Sequence, residues 1–293
     1  MARIMVATRD CCKRGLCPVF AGALGCRMNG GTDEQADVTK RGVGWVRAAL
    51  GVAARLGDLA LPPLCISCGR GVEAHGALCG GCWAAVSFIE APICPVSGLP
   101  FPYDPGPGIV SAAALASPPP YARARAVMRY SDESAKLLHR YKYGDRMEVA
   151  PAFARWMVRA GAELLEGADV IAPVPLHRRR LFSRRFNQSA ELARRISRLS
   201  AVGFMPDLLE RVRATRPQVG LSGNARRRNV AGAFRLRHGL EGCVKGRIIV
   251  IVDDVITTGA TVEACARVLN AAGAAEVRVL CLARVVPGEG ATI

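Results

Sequence analysis

The sequence predicts an α/β fold, a parallel sheet flanked by helices and preceded by a small metal-binding module, and three observations support it. The run Ile248 to Val252 is continuously apolar and β-branched, the mark of a strand buried on both faces. From Arg123 onward, strand-like and helix-like stretches alternate, which argues for βαβ units. Ahead of them stand two Cys-x-x-Cys pairs, Cys65-Ile-Ser-Cys68 and Cys79-Gly-Gly-Cys82.

A chain of 293 residues can bury a full α/β core and still carry a smaller module. Arg47, Arg55 and Asp58 interrupt the most hydrophobic N-terminal stretch, so membrane insertion is not expected. Lys13-Arg14 followed by Leu16 to Cys26 has the outline of a signal peptide, but its apolar part is short and holds Pro18, so a cytoplasmic location is expected instead. A formal net charge of +16 points to polyanionic partners, either a phosphate-rich small substrate or nucleic acid. Aromatic residues make up 5% of the chain, which is thin for stacking single-stranded bases; Tyr141, Tyr143 and Phe186 stand among basic residues and are the candidates, although such aromatics are more often core.

Residues 1–42 lack any helical or strand period and read as a flexible extension or a mis-called start, with Met28 an alternative initiator. Residues 43–100 form the next unit, in which Val46, Leu50, Ala53 and Ala54 recur at helical spacing until Pro62-Pro63 stop them. The two Cys-x-x-Cys pairs follow. Glycines beside them let backbone N–H groups turn toward thiolates, and the sulfurs of Cys65, Cys68, Cys79 and Cys82 satisfy a tetrahedral structural Zn²⁺. His75 reads as a solvated loop residue, and Cys94-Pro-Val-Ser97-Gly98 as a degenerate knuckle that has lost a thiol, outside the ligand set. Residues 101–122, rich in Pro, Gly and Ala, read as a linker.

The core is expected over 123–286, with 287–293 as a tail. Ala126 to Tyr130 reads as a strand, Ser134 to Tyr143 and 148–165 as helices, and Asp169 to Val174 as the next strand. That strand runs into Leu176-His177-Arg178-Arg179-Arg180, where two prolines hold a loop that opens into basic side chains: a pyrophosphate grip, or a solvated face, the commoner fate of a basic run. Arg184 to Ser189 introduces a helix over 190–199. Arg211 to Phe234, with Arg226-Arg227-Arg228 near its end, is long and polar enough for a mobile lid.

The stretch Ile248 to Thr261 carries the chemistry. Its strand is expected to end at Asp253 and Asp254, and Thr257-Thr258-Gly259-Ala260-Thr261 then opens a helix. Unpaired N–H groups and the dipole at a helix start attract phosphate, threonine hydroxyls add donors, and glycine lets the backbone approach closely. Paired carboxylates suit the vicinal hydroxyls of a ribose, directly or through a divalent cation. Two acids that merely cap a strand are the plain alternative, but a phosphate site beside a diol site fits ribose 5-phosphate.

This stretch resembles the phosphoribosyl pyrophosphate (PRPP) motif of type I phosphoribosyltransferases. The resemblance implies that Asp253 and Asp254 hold the ribose hydroxyls as catalytic residues, that Thr257 to Thr261 wrap the 5-phosphate, and that Mg²⁺ accompanies PRPP; His177 and Arg178, on the basic loop, are the candidate pyrophosphate-binding residues. The order of the Cys pairs, Lys142-Tyr-Gly-Asp145, Pro173-Val-Pro-Leu-His177, Arg185-Phe-Asn-Gln188, Thr215-x-Pro-Gln218, Arg228-Asn229-Val-x-Gly-x-Phe234 and this loop is similar to the ComF family, over about residues 55 to 285. Arg185 departs from it, where the family has Gly-Phe-Asn-Gln after an arginine. The family implies a type I phosphoribosyltransferase-like fold, a link to natural competence and its machinery, and handling of internalised single-stranded DNA. The alternative is an active phosphoribosyltransferase on a small-molecule acceptor with no nucleic-acid role.

Overall fold

A computed structural model describes residues 62–143, 149–177, 186–213 and 223–287, and of residues 142, 143, 223, 224, 226 and 227 the backbone alone. Outside the described residues lie the extension, the expected helix before Pro62, Arg178, Arg179, Arg180, Arg184, Arg185 and the Thr215 to Gln218 motif.

Two short helices come first, α1 (Gly80–Ala85) and α2 (Ala112–Ala116). The core then runs β1 (Arg123–Arg129), α3 (Asp132–Tyr143), α4 (Ala150–Ala160), α5 (Ala162–Leu165), β2 (Val170–Pro173), α6 (Gln188–Ser200), β3 (Gly203–Phe204), β4 (Leu209–Arg211), α7 (Gly223–Val230), β5 (Phe234–Leu236), β6 (Ile248–Ile256), α8 (Ala260–Ala271) and β7 (Glu276–Arg284). The five strands β1-β7-β6-β2-β3, in that spatial order, are all parallel. Helices α3 to α6 cover one face, and α8 with the β4–β5 ribbon covers the other. Burial on both faces is why Ile249 to Val252 are all fully buried and why the run carries no polar alternation.

Several elements depart from their expected bounds, each for a tertiary reason. Strand β6 does not end at the acids; it continues two residues past Asp254 to Ile256, because β7 pairs with it as far as Ile256↔Arg284. The helix expected over 148–165 breaks at Gly161. A Cβ there would stand 2.7 Å from the Leu280 side chain, so glycine lets the chain turn close over β7. The expected lid between Arg211 and Phe234 is anchored at both ends, since β4 and β5 pair antiparallel and the Arg213 guanidinium donates to the carbonyls of Asn229 (3.1 Å) and Ala231 (2.6 Å). Among the described residues no helix is long and apolar enough to cross a membrane.

Tyr141 is fully buried, T-packed on Phe153 and Phe186, and so cannot stack on a base. It belongs to a column of rings that runs through Phe153 to Trp156, and on to Phe88 and Trp83 beside the metal-binding module.

Candidate functional site

In an open parallel sheet, ligands bind beyond the carboxyl ends of the strands where successive connections leave in opposite directions. Here β6 connects through α8 to β7 on one side, and β2 connects through α6 to β3 on the other. The crevice therefore opens between β6 and β2, which pair as far as Pro173↔Val252. Asp253 follows directly. The loop that carries His177 starts from the same place, where the Val174 N–H donates to the Val252 carbonyl at 2.9 Å.

Ile249 and Ile251 face α8 whereas Val250 and Val252 face α3 to α6. At the strand end this alternation is not kept: Asp253 bonds Ser189 at the start of α6, and Val255 packs on the α3 to α6 side where strict alternation would turn it toward α8. The charge of Asp253 is felt on the α8 side as well. Burial pushes the Cys265 thiol on α8 well above its ordinary value and the charge of Asp253 adds to it; burial likewise raises Tyr141 on α3, with Glu191 and then Asp254 adding. Asp253 is buried, and its Oδ1 accepts from the Ser189 hydroxyl (3.0 Å) and the Asp254 N–H (2.9 Å). Asp254 is half-buried, and its Oδ1 accepts the Val255 N–H at 2.7 Å.

After Ile256 the chain turns through Thr257 and Thr258 to Gly259, which caps α8 at φ +82°. That left-handed conformation favours glycine, and no side chain caps the helix N-terminus. Asp253, Thr257, Gly259, Ala260 and Thr261 line a small open cleft. Two features of this turn suit an anion. The N–H groups of a 12-residue helix start lack a side-chain cap, and Thr258 Oγ1 is buried with no hydrogen-bond partner among the described residues. Glu263 lies beneath the turn, its carboxylate paired with Arg267 at 3.1 Å. A divalent cation fits the oxygen-only donors of Asp253 and Asp254.

The metal module is a separate site. The sulfurs of Cys65, Cys68, Cys79 and Cys82 all lie within 4.8 Å of one another, against about 3.8 Å between ligands of a tetrahedral zinc thiolate. Cys65 is the buried member. Burial alone would raise its thiol, but N–H groups of Cys68, Cys79 and Ser67 outweigh that and hold it at about 6. Neither His75 nor Cys94 joins the cluster.

A second knuckle repeats the first without its thiols. In the first, the Gly69 N–H donates to the Cys65 carbonyl (3.0 Å) and the Cys79 N–H to Cys65 Sγ (3.3 Å), with Cys79 capping α1. In the second, the Gly98 N–H donates to the Cys94 carbonyl (2.8 Å) and the Ser111 N–H to Cys94 Sγ (3.4 Å), with Ser111 capping α2. Ser97, Ser111 and Ala114 thus occupy the places of Cys68, Cys79 and Cys82, a correspondence hidden in the sequence because only Cys94 keeps its sulfur. Core cations hold this copy instead. Arg125 donates to the Pro95 carbonyl at 3.0 Å and Arg284 to that of Ser97, while Gly98 lies so close to β1 that a Cβ would meet the Ala124 carbonyl oxygen at 2.1 Å. The described residues are expected to carry one zinc, and Ser97→Cys, Ser111→Cys and Ala114→Cys together to raise the metal count by one. Elemental analysis of reduced protein checks this, and an unchanged count in the triple variant would break the correspondence.

Comparison with known proteins follows the same division. Residues 56–113 match the double zinc ribbon domain and residues 190–290 the phosphoribosyl transferase domain. The DNA utilization protein YhgH of Escherichia coli (strain K12) is 37% identical over 232 residues, covering 77% of this chain and 99% of that protein. Competence protein F of Haemophilus influenzae is 28% identical over 226 residues, 75% of this chain and 96% of that protein. Among solved structures, the allosteric regulatory enzyme of purine biosynthesis aligns over 48% of this chain and 29% of its own, at 24% identity and a TM-score of 0.34.

Proposed function

Because the chain belongs to the ComF family of phosphoribosyltransferase-like proteins, we propose that it binds PRPP with Mg²⁺ at the carboxyl end of β6, in the cytoplasm where PRPP is made, and that it serves DNA utilization. The observation that carries this reading is the buried, unpartnered Thr258 hydroxyl beside the uncapped, glycine-turned start of α8, one turn from a pair of acids at the topological switch. The N–H groups and hydroxyls of Thr257 to Thr261 take the 5-phosphate. Asp253 and Asp254 take the ribose hydroxyls, Mg²⁺ would supply charge neutralisation for the pyrophosphate, and the basic loop of His177 and Arg178 is assigned to the same group. Titration calorimetry with PRPP, with and without Mg²⁺, tests it: heat that depends on Mg²⁺ is expected, and no binding in either condition ends this reading.

The second polyanion is single-stranded DNA, and one placement favours it. Helix α7 bears Arg226, Arg227 and the exposed Arg228, has no acid in its first turn, and packs against α8, whose N-terminus forms the cradle. DNA and PRPP are expected to compete there, in concert with competence machinery. Changing Arg226, Arg227 and Arg228 to Ala should weaken oligonucleotide binding and lower the salt slope by about 0.7 for each phosphate that is no longer neutralised. A triple variant indistinguishable from the parent, with heparin as competitor, would favour the alternative of a phosphoribosyltransferase acting on a small acceptor. In that reaction an acceptor nucleophile bonds to the anomeric carbon as pyrophosphate leaves, and release of pyrophosphate against a panel of bases and amines reads it directly.

A further inference from the structure

The two acids of the PRPP site differ in how they are held, and the difference lies in a residue 64 positions away in sequence. Ser189 is buried at the start of α6, and its hydroxyl donates to Asp253 Oδ1 at 3.0 Å. We propose that Ser189 is a positioning residue, which fixes the Asp253 carboxylate so that its second oxygen meets a ribose hydroxyl. This inference rests on the PRPP reading above and deepens it.

Two donors converge on Oδ1, the Ser189 hydroxyl and the Asp254 N–H, from different directions. Together they settle rotation about the Cβ–Cγ bond, and with it the direction of Oδ2. A carboxylate that must accept from a sugar hydroxyl gains affinity when that rotation is settled before the ligand arrives.

Ser189 is itself unusually well fixed. Its N–H donates to Asn187 Oδ1 (3.1 Å), and the Asn187 amide donates to the Val174 carbonyl (3.0 Å) just past the end of β2. The Tyr141 hydroxyl donates to the Gln188 carbonyl (3.0 Å), and Tyr141 is wedged between Phe153 and Phe186. Residues 187 to 189 are thus pinned from the sheet and from α3. A surface serine needs no such frame, whereas a group that must hold another group's rotamer does.

The experiment compares ribose 5-phosphate with inorganic phosphate, both with Mg²⁺, on the full chain. Inorganic phosphate uses the Thr257 to Thr261 cradle alone, so a positioning role at Asp253 predicts a split between the two ligands. Ser189→Ala is expected to weaken ribose 5-phosphate about tenfold, the scale of one hydrogen bond to a charged group, and to leave inorganic phosphate within about twofold. Ser189→Thr, which keeps the hydroxyl, should recover most of the loss. Ser189→Cys, which keeps the volume but donates weakly, should follow the alanine variant and stands in for it if alanine lowers thermal stability. Equal losses for both ligands would make Ser189 merely structural, and unchanged ribose 5-phosphate binding would remove the role; either overturns the proposal while leaving the PRPP site intact. A parent that binds inorganic phosphate but not ribose 5-phosphate overturns the PRPP reading itself, and this proposal with it.

Discussion

Replacing Asp253 and Asp254 together by asparagine is expected to lower PRPP affinity by about a hundredfold or more. Each carboxylate contributes charge-assisted acceptors on the order of 1.5–3 kcal/mol, and every 1.4 kcal/mol is about tenfold. Asparagine keeps the volume at both positions, so the sheet should persist. The acids sit in one strand that is otherwise fully buried from Ile249 to Val252 and is paired to β7 beyond them. Calorimetry with PRPP and Mg²⁺ measures the loss, and far-UV circular dichroism with zinc content shows that the fold survives. Because the two carboxylates have different partners, the single variants need not be equal. Asp253→Asn keeps an Oδ1 that accepts from Ser189 but loses the charge and turns the second oxygen into an amide donor, and is expected to be the worse of the two. A double variant that binds PRPP like the parent would remove ribose recognition from this strand.

Much of this site was legible in the sequence because its chemistry is local. An apolar run, two acids and a threonine-glycine turn are consecutive, so the strand, the cradle and the acids could be placed without knowing any long-range contact. What escaped depends on topology. Ser189 meets Asp253 only because α6 and β6 converge at the switch between β2 and β6, and no pattern near residue 189 announces that. Gly161 reads as an unremarkable residue in a helical pattern until Leu280 is known to lie over it. Tyr141 took the commoner of its two fates, the core. Its immediate neighbours Arg140 and Lys142 suggested a nucleic-acid contact, yet Leu137, Leu138 and Tyr141 share the apolar stripe of a helix, and burial follows that stripe. The second ribbon shows the opposite limit. With three thiols gone, the spacing of Ser111 and Ala114, equal to that of Cys79 and Cys82, was a signal too weak to separate from chance.

Removing zinc is expected to unfold the first ribbon and leave the sheet standing. The reason is how little else holds it: α1 has no buried residue, and between residues 62 and 90 the buried apolar set is Cys65, Ile66 and Val86. At roughly 1.5–3 kcal/mol for each fully buried aliphatic side chain, that core cannot offset the ordering of nearly thirty residues at about 1–2 kcal/mol each. Structural zinc contributes on the order of 10–16 kcal/mol in isolated fingers, more than those three buried side chains together. Among the described residues the ribbon is attached by the Ile89 N–H to the Val127 carbonyl, the Arg129 N–H to the Ser87 carbonyl, the packing of Trp83 and Phe88 on Trp156, and Ile66 and Val86 in the core under α3 to α6. Hydrogen exchange after chelation is therefore expected to show lower protection at Gly69, Cys79 and Trp83 with protection kept at Val250 to Val252, and Trp83 emission should shift to the red as its ring leaves Phe88. The second knuckle should respond least among the ribbon segments, since Arg125 and Arg284 rather than metal hold it to the core. Protection that falls equally in ribbon and sheet would mean that the metal supports the whole chain, and unchanged protection at Gly69 and Cys79 would mean that the four sulfurs do not organise the ribbon through zinc.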